Sequence, residues 1–148
     1  MRATPDRDES ITEGYVLAFD FGLRHIGVAA GQTVTGTASP LVTLRANHGK
    51  PDWQAVSQLV TEWRPVRLLV GLPLNMDDTD SAMSARATIF ANQLQRRTGI
   101  AVDMVDERLT TRAAREQQPL RAHEQAAVLI AETWLNHRPP PGKRPNDD

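Results

Sequence analysis

Three places in this sequence carry side chains whose type and setting could do chemistry. The first is Asp20, an acid at the end of the apolar run Val16-Leu17-Ala18-Phe19. A carboxylate left unpaired in a sheet costs several kcal/mol, so Asp20 needs a metal, a cation or donor groups at its strand's end. The plainer alternative is an Asp that caps a hairpin turn through Asp20-Phe21-Gly22. The second place is Asp106-Glu107, which ends a predicted parallel strand, and open α/β sheets keep their sites at that end. Adjacent strand residues point to opposite faces, so at most one of the two shares a site with Asp20. Otherwise they cap the next helix, as Thr110 could. The third is His123, at the centre of a helical stripe formed with Ala126, Ala127, Ile130 and Trp134, while Glu124 turns about 100° away. That stripe aims His123 at the sheet, where it is either a ligand or a packed core histidine.

Two further groups are weaker. Asp77, Asp78 and Asp80 crowd one loop, but the spacing and glycine of a calcium loop are missing, and helix capping is the simpler use. Arg108, Arg112 and Arg115 fall at i, i+4 and i+7, a basic stripe near the acids or simply a solvated face.

The elements that must position these residues follow from periodicity. Residues 15–20 and 26–30 read as two strands returning on each other through Gly22. A third antiparallel strand over 33–44 has an irregular middle, and Ser39-Pro40 places it at an edge or a bulge. Trp53, Val56, Leu59, Val60 and Trp63 predict an amphipathic helix over 52–63 that ends before Pro65. Residues 67–72 form a nearly continuous apolar run, the mark of a strand buried on both faces. Met83, Ala87, Phe90, Ala91 and Leu94 give a second helix closed by Gly99, residues 100–105 a last strand, and residues 121–137 the final helix. Small residues at 126 and 127 let that helix come close to what it covers. The sum is an α/β fold, a mixed five-stranded sheet flanked by helices.

Composition bounds the rest. The chain has 148 residues, 40% hydrophobic and 24% charged, with a net charge of −1. That suits one domain over 14–138 between a polar leader (1–13) and a Pro-rich tail (139–148), and it leaves only a local basic patch for nucleic acid. Without cysteine there is no disulfide, no thiolate nucleophile and no cysteine-held zinc; any metal must use oxygen or imidazole. No apolar leader or membrane-length run is present, so no membrane partner and a cytoplasmic location are expected.

Five stretches then carry a resemblance: Phe19 to Ala29, Thr37 to Leu41, Val70 to Asp77, Val105 to Thr111 and Ala126 to Ile130. In order and spacing they resemble the YqgF (RuvX) family over roughly residues 15–135. The resemblance implies an RNase H-like fold and a divalent-metal nuclease that trims the precursor of small-subunit ribosomal RNA; Holliday-junction resolution is the alternative activity. It makes Asp20 the first acid and Glu107 the second. The family's third acid, an Asp, falls here on His123. Within the matching motifs, Arg24 and Asn75 join Arg108 and Arg112 as candidates for nucleic-acid contact. Two divalent ions about 4 Å apart can activate water and stabilise the leaving oxygen of a phosphodiester, so acids should converge to hold Mg²⁺ or Mn²⁺. Imidazole suits Mn²⁺ better, so His123 as a ligand would favour manganese; a proton-transfer role is the other option.

Three functions compete at this stage. They are a metal nuclease acting on RNA or branched DNA, alone or as a homodimer; a nucleic-acid or ribosome-assembly binding protein weakened in catalysis by His123; and an actin-like ATPase using Asp20-Phe21-Gly22 as a phosphate loop. The last lacks a second lobe to close over nucleotide. The metal nuclease is the function these residues favour.

Overall fold

A computed structural model describes residues 13–72, 82–106 and 122–137. Alternation along Val16 to Phe21 dictates its architecture. Leu17, Phe19 and Phe21 point to one face of a sheet, and Val16, Ala18 and Asp20 to the other. This first strand, β1 (Tyr15–Asp20), pairs antiparallel with β2 (His25–Gln32) and parallel with β5 (Arg67–Leu72). Beyond β2 lies β3 (Thr37–Asn47), and beyond β5 lies the parallel β6 (Val102–Asp106). Among the described residues the sheet has six strands rather than the five expected. The extra one, β4 (Lys50–Pro51), pairs only with Ala46 and Asn47 of β3, and the order is β4-β3-β2-β1-β5-β6. Two residues are too few to leave an alternating pattern in the sequence.

The expected irregularity at Ser39-Pro40 is present as a register shift. Val28 faces Val42 and Ala29 faces Pro40, so Leu41 is the extra residue of a bulge. Pro40, which has no N–H, sits in the strand that forms the sheet's outer edge along that stretch.

Helices cover both faces. On one, α1 (Trp53–Trp63) and α2 (Ala82–Thr98) enclose the larger core, in which Val56, Ala87, Phe90 and Leu94 pack on Leu17, Phe19, Ile26, Leu68 and Val70. Helix α1 begins where Asp52 accepts the Gln54 N–H and ends at Arg64 in the left-handed region, just before Pro65. Helix α3 (Ala122–His137) covers the other face, with Ile130 and Ala131 against Val16, Ala18 and Leu69.

Candidate active site

Asp20 is the last residue of β1, on the α3 face, and is only 3% exposed. Its cross-strand partner on β2 is Gly27. That glycine is required: a Cβ there would lie 2.0 Å from the carbonyl oxygen of His123 and 2.8 Å from the Glu124 amide nitrogen. Its absence lets the first turn of α3 rest its backbone on β2. The close approach expected from Ala126 and Ala127 is thus set equally by the strand beneath.

This contact decides where His123 goes. Its Nδ1 lies 3.9 Å from Asp20 Oδ2, and its ring stacks on His25 with centroids 5.0 Å apart and planes at 26°. The helical stripe correctly aimed His123 at the sheet. It did not put the ring in the core, because at the first turn of α3 the sheet is ending beneath it, and the side chain is 43% exposed. Ala126, Ala127 and Ile130 of the same stripe are buried and Trp134 is partly so. Glu124, turned away as its angle requires, accepts a hydrogen bond from Thr43 Oγ1 (3.1 Å) and ties α3 to β3.

His25 is a site residue that sequence reasoning missed. Its signal was parity: His25, Gly27 and Ala29 share one face of β2, and Ala29 packs against Ala127 of α3. Parity also separates the two adjacent acids. Asp103 and Val105 lie on the α3 face of β6, with Asp103 bonded to Trp134 and Val105 packed in the α3 core. Asp106, level with Leu72, therefore points to the opposite face from Asp20. Glu107, Asn75, Arg108, Arg112 and Arg115 lie outside the described residues, as do Asp77, Asp78 and Asp80. Arg24 is exposed in the turn between β1 and β2.

The described part of the site thus joins one buried carboxylate and one imidazole. Their separation exceeds a hydrogen bond, but two ligands held about 2.1 Å from one ion can span it, so the pair fits a divalent metal with mixed oxygen and nitrogen donors. Among the described residues no set of three or more His, Asp or Glu side chains forms a complete metal site, so a further ligand has to come from elsewhere in the chain. No described helix is long and apolar enough to cross a membrane.

Comparison with known proteins gives this geometry a context. A family model described as RuvX, Holliday junction resolvase, matches residues 14–137. A protein of Nitrosococcus oceani named "Putative pre-16S rRNA nuclease" is 44% identical over 147 residues, covering 93% of this chain and 97% of its own. One of the same name from Marinobacter nauticus is 49% identical over 133 residues, covering 83% and 93%. In three dimensions the chain is similar to T. thermophilus RuvC in complex with a Holliday junction substrate, with a TM-score of 0.54, 17% identity, and coverage of 80% of this chain and 91% of that one. At that identity the likeness concerns the fold, which is the RNase H-like one.

Proposed function

The chain belongs to the RuvX family, and from that premise we propose that it is a divalent-metal-dependent nuclease that hydrolyses phosphodiester bonds in the precursor of 16S ribosomal RNA. The observation that carries this reading is the buried Asp20 carboxylate at the end of the central strand, with the His123 imidazole 3.9 Å away. The relatives' shared name supports the substrate, and the match over residues 14–137 supports a single catalytic domain over 14–138.

In this reading Asp20, Glu107 and His123 hold the metal. That Asp106 points to the face opposite Asp20 supports Glu107, rather than Asp106, as the second acid. Divalent ions bound there would supply an activated water and charge stabilisation at the leaving oxygen. The protein's own part is positional. Asp20 is fixed by the buried residues that precede it in β1, and His123 by the seat of α3 on Gly27. Arg24, Asn75, Arg108 and Arg112 contact phosphates. The imidazole tilts the site toward Mn²⁺ over Mg²⁺.

The test is cleavage by the purified full chain of a precursor 16S fragment, an unrelated single-stranded RNA and a four-way DNA junction, each with Mg²⁺, with Mn²⁺ and with EDTA. The reading expects the precursor to be cut preferentially, EDTA to stop cleavage, and Asp20→Ala and Glu107→Ala each to lower the rate about 10³-fold or more with unchanged circular dichroism. An Asp20→Ala protein that still cuts would overturn it, and preferential cutting of the junction would replace the substrate.

A further inference from the structure

Between α2 and the turns that follow β1 and β3 lie two open hollows of about 290 and 190 Å³, which meet at His48 and Arg86. Their outer wall is built from backbone. The Ala46 N–H donates to the Arg24 carbonyl (2.8 Å) and the Gly49 N–H to the Leu23 carbonyl (2.9 Å), which fastens the β3–β4 turn to the turn that follows Asp20. Both turn residues His48 and Gly49 take positive φ, at 54° and 84°. The inner wall is one face of α2, where Arg86, Ile89 and Gln93 stand at i, i+3 and i+7.

The charge of this groove departs from that of the chain. The whole sequence has 17 basic and 18 acidic residues, yet the groove's described lining includes Arg24, Lys50, Arg86 and His48 and no carboxylate. Among the described residues none of the three permanent cations is in an ion pair. Beside them Leu23 and Ile89 are 38% and 56% exposed, apolar surface that the flat face of a base could cover. Each hollow is smaller than an ordinary small-molecule site, a size that suits single nucleotides of one strand laid along the groove. Arg24 lies four residues after Asp20, so the two Cα atoms are at most about 15 Å apart.

We infer that this groove binds the phosphate backbone of a single-stranded nucleic-acid segment on its way to or from Asp20, with Arg86 and Lys50 as phosphate contacts and Ile89 as a base platform. Its destination rests on the nuclease reading, whereas its chemistry does not.

The experiment measures binding of a fluorescent oligouridylate RNA to the full chain in EDTA by anisotropy across a series of KCl concentrations. Arg86→Ala and Lys50→Ala should each weaken binding several-fold, and each should lower the magnitude of the log K against log salt slope by about 0.7. Arg86→Lys should keep the slope, which separates charge from folding. Arg96→Ala removes the same charge from α2 outside the groove and should change neither quantity. An unchanged slope for Arg86→Ala, an equal loss for Arg96→Ala, or no binding by the unaltered chain overturns the groove. Binding with these losses but no cleavage of any substrate keeps the groove and removes the nuclease; cleavage with an unchanged slope does the reverse.

Discussion

The two faces of the central sheet are packed by opposite means. Toward α1 and α2 the sheet presents Leu17, Phe19, Phe21, Ile26 and Val70, and the space is filled by rings: Phe90 meets Phe19, Phe21 and Trp53 with centroids 5.4 to 5.9 Å apart. Toward α3 the first two strands present Ala18, Gly27, Ala29 and Gly31, met by Ala127 and Ala131, while Val16, Leu69, Val105 and Ile130 form the apolar cluster beside them. Bulk on the first face removes apolar area from water, at about 25 cal/mol for each Å², and so supplies stability. Smallness on the second buries less but brings backbone to backbone, which leaves the helix little room to shift. Asp20, His25 and His123 all sit on the small face. Chemistry has been placed where position, not volume, is controlled.

That contrast breaks most clearly by one substitution on each face. Phe90→Ala should cost about 3–5 kcal/mol in denaturant unfolding, the range for deleting a buried aromatic, while the folded fraction keeps its rate and metal affinity. Gly27→Ala should cost at least about 1–3 kcal/mol, because its Cβ would fall inside the His123 carbonyl and α3 must shift. Unlike Phe90→Ala, it should also depress cleavage and metal affinity in protein that remains fully folded. If both variants lose activity only in proportion to unfolding, the two faces do not divide the work in this way.

Within the small face, His123 sharpens the comparison at a smaller magnitude. As a ligand it should be worth at least the roughly 10–100-fold that hydrogen-bond partners of metal ligands contribute, so His123→Leu should lose that much or more. His123→Asp should retain cleavage and shift its preference toward Mg²⁺, since carboxylate oxygen suits the harder ion. Full activity in His123→Leu, with metal affinity unchanged by calorimetry, would make the half-exposed ring a mere neighbour of Asp20.

How far the sequence foretold this depends on the range of the interaction concerned. Strand β5 was legible to the residue, because Leu68 to Gly71 are covered on both faces and read as an unbroken apolar run. The start of α1 beside Asp52 and the direction of His123 were equally local. The short strand β4 was not, since its pairing exists only once β3 has turned. Gly27 looked like an ordinary strand glycine because the helix that needs it arrives 96 positions later, as the numbers 27 and 123 give. Lys50 and Arg86 were overlooked for the same reason: tertiary packing, not spacing, brings them to one groove.

The smallest expected effect concerns the far end of α3. Asp103, 37% exposed, accepts from Trp134 Nε1 (2.9 Å) with one oxygen and from Arg67 Nη1 (3.0 Å) with the other, so one carboxylate joins β6, β5 and α3. The Arg67 pair is solvent-screened and should contribute less than about 1 kcal/mol; the indole bond to a charged acceptor adds a similar amount. Asp103→Ala should therefore cost about 1–2 kcal/mol, and Asp103→Asn less, because an amide oxygen can still accept from Trp134. Trp134 is eleven residues from His123, about 16 Å along the helix. If α3 is seated at its first turn by Gly27, loosening the far end should leave cleavage unchanged. A fall in activity comparable to that of Gly27→Ala would mean that the helix moves as one rod, and that the small face positions the site along its whole length and not through a single glycine.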